Sequence, residues 1–480
     1  MKTFYRFVQR WGLFALGGIG VASITMVIAV AYQQRPGAAV LTIDATQQFQ
    51  TIRGWEALAE AGLESTTSQE YINELLDATV DLGLTRLRVE VRSGYEHTRN
   101  IAQEYRDGVI SNAEFRCTRY ATINDNDDAF SINWRGFRFE RLDGAMEALV
   151  LPLRQRLAEH GVRLWINVNY VAFTNQLCEG HRYLHDRPDE YAEFVLATYQ
   201  HLRDKYGVTP DSWEVMLEPD NTREWTKEAM AEAMVRTARR LQQAGFTPSF
   251  VAPSTTLASN ALNFARSIWS RETLRPLLRE VSYHRYDSPG ERIISDIGSF
   301  AAQNGLETAM LEKLNAGHHE LHQDLTLGRV SAWQQYALAF PPPQGRDGVY
   351  YFNLRPDAPE GSRVTLMPSA RYLRQYFRAL RPDARRIGAT SDNEDFKPVA
   401  VRQHDGRLAV VVSANRGGQL TIRQLEPGSY RVSCWTERST LGDVSSQCDQ
   451  TVQVISPGTL IINIPAAGVL SLAQNPTPSP

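Results

Sequence analysis

The chain has 480 residues, with 51 lysines and arginines, 54 aspartates and glutamates, and a formal net charge of −3. Balanced charge without a basic stripe argues against a nucleic-acid-binding surface, and a hydrophobic content of 42% excludes a disordered chain. The length allows two or three domains, each with an ample core.

The N-terminus carries the charge pattern of an exported protein. Residues 1–10 include three basic side chains, and the run from Trp11 to Ala31 has no charge, which is about the length that crosses a bilayer. We expect a cytoplasmic tail, a single transmembrane anchor over residues 11–32 and an extracytoplasmic remainder. Ala29-Val30-Ala31 also fits a signal-peptide cleavage site, so a secreted or periplasmic protein is the alternative.

The four cysteines are consistent with an oxidising compartment. A bond between Cys434 and Cys448 would close a hairpin-sized loop, and a bond between Cys117 and Cys178 is compatible with the sequence but not fixed by it. None of them has the spacing of a zinc site, and we expect neither a metal nor another cofactor.

After a linker, residues 33–50 include a strand at Ala39–Asp44, and strand and helix patterns then alternate over residues 51–375. The predicted strands are Thr51–Leu58, Leu84–Arg92, Val162–Tyr170, the segment from Ser212, Val281–Tyr286, Thr308–Glu312 and Val330–Leu338. The predicted helices are Ser68–Leu82, Leu142–His160, Pro188–Tyr206, Thr226–Ala244 and Glu291–Asn304. This alternation is typical of a parallel sheet, and no Gly-rich phosphate loop favours a doubly wound fold. We predict an α/β fold, a (β/α)8 TIM barrel.

Polar and apolar side chains alternate along these strands. In a barrel the apolar face packs on the helices and the polar face points inward, where charges must pair. The residues expected to face inward are Arg86, Arg88, Glu90, Arg92, Asn167, Asn169, Ser282, His284, Tyr286, Ser331, Trp333 and Gln335.

Three further segments have a different texture. Gly94–Gly136 is a long polar insertion that follows a barrel strand, and we expect it to shape substrate binding on the barrel's active face. Residues 376–472 contain short strands separated by turns without helix signals, which predicts a C-terminal β-sandwich. Residues 473–480 are expected to form a disordered tail.

Two short apolar segments each end on a glutamate. Glu218 follows the strand that begins at Ser212 and precedes a proline, and Glu312 ends the strand that begins at Thr308. A carboxylate at the carboxyl end of a buried parallel strand is costly, and such strand ends form the active face of a barrel. We therefore predict a carboxylate pair across the barrel mouth, the arrangement that glycoside hydrolysis needs.

In a retaining β-glycosidase the two carboxyl groups lie about 5–5.5 Å apart. We predict Glu218 as the general acid/base and Glu312 as the nucleophile. Arg88 and Tyr286 are expected to hydrogen-bond Glu312 and keep it ionised, and His284 is expected to line the same wall.

Three more residues are candidates for substrate contacts. Trp333 would offer an aromatic platform, because the C–H face of a sugar packs well on indole. Asn167 and Asn169 lie on the expected inner face of one strand. Plainer roles stay open: Trp333 as core, the asparagines as strand-end caps, and Arg88 as the partner of Glu90.

These motifs resemble the clan A retaining glycoside hydrolases, with glycoside hydrolase family 30 the most similar. The shared features are Glu-Pro after the fourth barrel strand, His-x-Tyr on the sixth (His284–Tyr286), a glutamate ending the seventh, and a β-sandwich after the barrel. The resemblance covers Leu41 to Leu472. It implies a retaining mechanism without metal, with Glu218 as acid/base and Glu312 as nucleophile, and it places the strand Val40–Asp44 in the sandwich.

The sequence departs from the family at two motifs. The family usually has Asn-Glu-Pro, whose asparagine contacts the sugar 2-hydroxyl, and Leu217 stands at that position here. Either that contact is lost, or another residue such as Asn221 or Asn169 supplies it. The family's Gly-Gly after the first strand is replaced by Gly54-Trp55-Glu56-Ala57.

His318-His319-Glu320-Leu321-His322 looks like a metal-binding helix, but its glutamate does not follow the first histidine as in zinc proteases. We expect a solvated helix face there. The functional prediction is a retaining β-glycosidase that hydrolyses a polysaccharide or glycoconjugate, with carbohydrate as its substrate, the membrane contacted through the N-terminal helix, and no obligatory protein partner. A catalytically silent carbohydrate-binding or scaffold protein, and a transglycosylase, are the alternatives.

Overall fold

The computed structural model describes residues 37–63, 70–126, 128–340, 345–440, 448–456 and 458–476. The predicted cytoplasmic tail and the anchor or signal sequence lie outside the described residues. Among the described helices, none combines the length and apolar character that crossing a bilayer requires.

The chain divides into two compact units. One comprises the chain up to Gln47, Ile387–Ala400 and the chain from Arg407, and the other comprises Gln48–Arg386 and Val401–Gly406. The larger unit therefore extends about ten residues beyond the barrel limit expected at residue 375.

The first strand, β1 (Gly37–Thr51), pairs within the second sheet, and the larger unit then forms a closed barrel of eight parallel strands. The barrel strands are β2 (Gly54–Leu58), β3 (Arg86–Arg92), β4 (Trp165–Val171), β5 (Ser212–Glu214), β6 (Phe250–Thr255), β7 (Leu278–His284), β8 (Glu307–Glu312) and β9 (Val330–Phe340). Strand β9 pairs with both β8 and β2, which closes the barrel. The predicted TIM barrel is confirmed.

Eleven helices are described in the larger unit. They are α1 (Ile72–Leu82), α2 (Ile101–Arg106), α3 (Asn112–Thr118), α4 (Glu140–Ala145), α5 (Leu151–Glu159), α6 (Pro188–Tyr206), α7 (Lys227–Gln243), α8 (Ala258–Trp269), α9 (Glu291–Gln303), α10 (His318–Thr326) and α11 (Pro368–Ala379). Helix α6 has the predicted limits because both end signals are in the sequence: Pro188 needs no amide donor in the first turn, and Gly207 adopts the left-handed C-cap. Helices α4 and α5 are joined by a π-helical turn, Met146–Val150.

The second sheet is mostly antiparallel and has nine strands. Two strands, β10 (Tyr350–Leu354) and β11 (Val364–Leu366), do not belong to this second sheet; they extend the barrel sheet beyond β9. The second sheet contains β1 with β12 (Arg385–Ser391), β13 (Phe396–Arg402), β14 (Leu408–Ala414), β15 (Gly418–Arg423), β16 (Gly428–Thr436), β17 (Gln450–Val454), β18 (Leu460–Ile464) and β19 (Gly468–Gln474). As the resemblance implied, the strand ahead of the barrel joins this sheet, where β1 pairs in parallel with β15.

The predicted sandwich of two sheets is one continuous sheet among the described residues. A single buried cluster includes side chains from both edge strands, Val454 on β17 and Ile462 on β18, so the sheet curls around one core. The predicted tail boundary at residue 473 is too early. Strand β19 reaches Gln474, and the backbone N–H of Asn475 donates to the Ser429 carbonyl. Residues 477–480 lie outside the described part.

Both disulfides that the sequence allowed are formed, including the one that it did not fix. Cys434 pairs with Cys448, and Cys117 pairs with Cys178. The second bond ties the Gly94–Gly136 insertion, which contains α2 and α3, to the loop that follows β4. The insertion follows β3, as the sequence predicted.

Candidate active site

Glu218 lies four residues beyond the end of β5, which is shorter than the predicted strand. Its backbone adopts a left-handed conformation, with φ of 54°, directly before Pro219, and its amide donates to the Ser254 carbonyl at 3.0 Å. A non-glycine residue in this region costs about 1–3 kcal/mol, and such residues concentrate at functional sites.

Glu312 ends β8 and faces Glu218 across the barrel mouth. One carboxylate oxygen of each glutamate and one ring nitrogen of His284 lie within 4.8 Å of one another. Glu218 is 8% exposed and Glu312 is 7% exposed, whereas His284 is fully buried. The two carboxylates therefore form a close pair that still reaches solvent.

Arg88 and Tyr286 both bind Glu312, as predicted. Arg88 Nη2 lies 2.5 Å from Oε2, and the Tyr286 hydroxyl donates to Oε1 at 2.9 Å. Burial lowers the pKa of Arg88, but the charges of Glu312 and Glu214 raise it by more, so the guanidinium stays charged. Burial and the Glu312 charge together raise the pKa of the Tyr286 phenol, which keeps it a donor.

Glu218 has a different set of partners. His284 Nδ1 lies 3.0 Å from Oε1, and the Asn221 amide donates to Oε2 at 2.8 Å. Burial lowers the pKa of His284, but its hydrogen bond to Glu218 and the charge of Glu312 raise it by more, and the net pKa lies above its usual value. His284 therefore contacts the predicted acid/base rather than the predicted nucleophile.

The two asparagines on β4 lie at different depths. The Asn167 amide donates to Glu214 at 3.0 Å and to Glu56 at 3.3 Å, in a buried layer beneath the glutamate pair. Asn169 is 1% exposed, and neither of its amide atoms has a hydrogen-bond partner among the described residues. Asn167 therefore binds side chains within the buried layer, in the interior of β4 rather than as a strand-end cap.

Trp333 does not line the mouth, and its predicted inward orientation is wrong. Its side chain is fully buried, its Nε1 donates to Asp324 of α10 at 3.0 Å, and its ring lies 6.4 Å from that of Phe377 on α11. The interior position next to it is Ala332, which packs with Val251 and neighbouring small residues in the barrel centre. Alternation predicts that the face of β9 with Ser331 and Trp333 is the inner one, but the structure places Trp333 against the helices and Ala332 in the interior.

Tyr336 is the aromatic residue of β9 that the sequence analysis missed. Strand β9 is bulged against β2 between Gln334 and Ala337, where Tyr336 lies, and the Tyr336 side chain is half-buried. Burial raises the pKa of its phenol, and the charges of Glu312 and Glu90 add to that effect, which locates the ring near the glutamate pair. A β-bulge breaks the alternation of the strand, so no local pattern in the sequence indicates where this ring points.

Leu217 makes no polar contact that could replace the family's asparagine. It is 6% exposed and packs in an apolar cluster with Tyr120 of the insertion and Val171 of β4. Asn221, by contrast, is exposed and already bound to Glu218, so it is the better placed of the two proposed substitutes.

The histidine-rich helix is only partly solvated, contrary to expectation. His319 is exposed, but His322 is 7% exposed and its Nδ1 lies 3.1 Å from the Tyr376 hydroxyl. His318 stacks on Tyr372 at 4.9 Å, and burial lowers its pKa to about 3. These histidines pack the helix onto α11 rather than forming a site.

Solved structures with the same fold include carbohydrate enzymes. The catalytic domain of the GH30 xylanase C from Talaromyces cellulolyticus superposes with a TM-score of 0.63 at 14% identity, covering 91% of this chain and 100% of that one. The endo-β1,6-glucanase BT3312 gives 0.58 at 12% identity, covering 91% and 94%. The GH39 enzyme from Xanthomonas axonopodis pv. citri gives 0.52 at 13% identity, covering 93% and 99%.

The resemblance to glycoside hydrolase family 30 and its relatives is thus confirmed at the level of the fold. No protein-family model and no curated protein matches the sequence.

Proposed function

We propose that this protein is a retaining β-glycosidase that hydrolyses a polysaccharide or glycoconjugate, with Glu218 as general acid/base and Glu312 as nucleophile. The observation that carries the proposal is the separation of the two carboxylates, whose nearest oxygens lie within 4.8 Å. Retaining enzymes hold the two carboxyl groups about 5–5.5 Å apart, whereas inverting enzymes need about 6.5–9.5 Å to admit a water molecule.

The partners of each glutamate suit its proposed role. Two donors, Arg88 and Tyr286, stabilise a negative charge on Glu312, which then attacks the anomeric carbon as Glu218 gives its proton to the leaving oxygen. Water next transfers a proton to Glu218 and attacks the same carbon, which releases Glu312 and the sugar. His284 and Asn221 orient Glu218 for both proton transfers.

The solved structures with this fold guide the choice of substrates, since they include a xylanase and an endo-β1,6-glucanase. We propose a first panel of β-xylan, β-1,6-glucan and aryl β-glycosides. The two disulfides support an extracytoplasmic location, because such bonds persist in oxidising compartments. The membrane anchor, and the cleaved signal as its alternative, remain predictions.

Leu217 favours the second candidate function, a catalytically silent carbohydrate-binding protein. Its apolar packing leaves no donor at the position where the family binds the sugar 2-hydroxyl. This candidate predicts saccharide binding without any hydrolysis product. A transglycosylase would share the site and would differ by forming acceptor-dependent products.

The test replaces Glu312 with glutamine and follows product release from the panel. Glu312→Gln should lower turnover by about 10⁴-fold or more, since it removes the proposed nucleophile. Glu291→Gln, an exposed glutamate at the start of α9, is the matched control and should leave turnover unchanged. Circular dichroism and melting temperature check that both variants fold. Full activity in the folded Glu312→Gln variant would refute the assignment.

A further inference from the structure

The catalytic mouth also contains a set of metal-ligand atoms. Glu218, His284 and Glu312 form the only group of three or more His, Cys, Asp or Glu residues among those described whose ligand atoms lie close enough to hold an ion, within 4.8 Å of one another. His284 is fully buried, and its Nε2 has no hydrogen-bond partner in the described chain.

The donor types indicate which ion would bind. One imidazole nitrogen and two carboxylate oxygens suit zinc, whereas calcium and magnesium favour sites built from oxygen alone. Zinc bonds of about 2.0–2.2 Å place tetrahedral ligands about 3.4 Å apart. His284 Nδ1 and Glu218 Oε1 are already 3.0 Å apart, so a bound ion would take the place of their hydrogen bond, and Glu312 would move inward from its contacts with Arg88 and Tyr286.

Charge at the site favours one divalent cation. Two carboxylates are opposed by the guanidinium of Arg88, which lies 2.5 Å from Glu312, so with a neutral imidazole the group carries one net negative charge. The Nζ atom of Lys313 lies over the Tyr286 ring, 5.2 Å from its centre. Both glutamates reach solvent, which gives an ion a path to the buried histidine.

We propose that Glu218, His284 and Glu312 bind a zinc ion that excludes the glycoside and inhibits the enzyme reversibly. The ion would occupy the acid/base and the nucleophile at once, so neither could act on a sugar. The inhibition rests on the proposed function, whereas binding of the ion does not. All four cysteines are held in disulfides, so no free thiol competes for the metal.

Calorimetric titration of the folded protein with zinc chloride tests the site directly. The wild-type chain should bind one ion, and His284→Asn and Glu312→Gln should each weaken binding by about tenfold or more, because even outer-shell changes at metal sites cost 10–100-fold. His319→Gln, an exposed histidine on α10, is the matched control for adventitious binding and should leave the affinity unchanged. Calcium chloride should give no heat of binding at this site.

Three outcomes would overturn the proposal: no zinc binding by the wild-type chain, equal affinity in wild type and His284→Asn, or loss of binding in His319→Gln alone. With an active substrate, zinc should raise the apparent KM without lowering kcat, and EDTA should restore the activity. A chain that binds zinc at these residues but hydrolyses no glycoside after EDTA has removed the metal would refute the proposed function and leave the metal site standing.

Discussion

Arg86 and Arg88 lie two residues apart on β3 and point into the same barrel, but they serve different layers. Arg86 is fully buried, with Nε 2.7 Å from Glu56 and its two Nη atoms 2.6 and 2.9 Å from Glu280. Arg88 binds Glu312, which reaches solvent, and lies 3.9 Å from the buried Glu214. Each guanidinium thus pairs with two carboxylates. The layer around Arg86, with Glu56 and Glu280, is closed to solvent. The layer around Arg88 opens to solvent at Glu312.

The difference teaches how similar ion pairs divide between stability and chemistry. In the closed layer every partner is sealed from solvent, so the pairs can only hold the strands together. In the open layer one carboxylate is available to a substrate, and its partners set its charge. A buried glutamate paired to arginine is therefore a catalytic candidate only where the barrel opens.

The largest effects on stability and turnover should come from replacing Arg86 and Arg88 in separate variants. Arg86→Met leaves Glu56 and Glu280 buried without a cation, and should lower the free energy of unfolding by about 3–5 kcal/mol. Arg88→Met should lower kcat by about 10²-fold with a smaller loss of stability, because a hydrogen bond to a charged group contributes about 1.5–3 kcal/mol. Urea unfolding and turnover, measured on both variants, check the division. If Arg88→Met lost only stability, the two layers would not differ as described.

A smaller effect is expected at Tyr286. Tyr286→Phe removes only the 2.9 Å hydrogen bond to Glu312 and should lower kcat by about tenfold while changing stability by about 1 kcal/mol or less. Tyr283→Phe is a matched control, because Tyr283 lies on β7, three residues before Tyr286, but its hydroxyl binds Asp324 on the helix side. Equal losses of turnover in both variants would contradict a specific role for Tyr286.

The smallest effect concerns a buried carboxylate outside the barrel. Burial, together with the charge of Asp125, raises the pKa of Glu193 on α6 to about 8, and its nearest cation, Arg240, lies 3.5 Å away. The folded state thus holds a proton that the unfolded state releases near the usual pKa of 4.5, so stability falls as the pH rises between these two values.

Glu193→Gln should remove that loss. The variant should match the wild type near pH 4 and exceed it at pH 8 by about 1 kcal/mol or more, because one unit of pKa shift corresponds to about 1.4 kcal/mol. Urea unfolding across this pH range measures the gap, with the exposed Glu291→Gln as control. A gap that does not grow with pH would show that Glu193 does not titrate in the folded protein.

The sequence predicted the barrel and the glutamate pair because both depend on local pattern. Alternation on β3 and β7 assigned Arg88, His284 and Tyr286 to the inner face, and strand-end position singled out Glu218 and Glu312. Alternation gives the face of a strand but not the depth of a residue. For that reason Asn167 was grouped with the mouth, although its side-chain amide donates to the fully buried Glu214 and Glu56.

Alternation also misled on β9, where both faces carry polar side chains. Trp333 was placed inside, whereas small Ala332 fills the interior and Trp333 pairs with Asp324. The left-handed turn at Glu218 had no sequence signal either, since a residue before proline usually avoids that conformation. Such a turn is maintained by tertiary contacts, which local pattern does not contain.

The most direct test of the central claim is the configuration of the first product. Proton NMR during the initial minutes of hydrolysis of an active β-glycoside distinguishes the two anomers before they interconvert. A carboxylate pair with oxygens within 4.8 Å predicts retention, so the β-anomer should appear first. Initial release of the α-anomer would contradict the account, because it would require a water molecule between the two glutamates and remove Glu312 from its role as nucleophile.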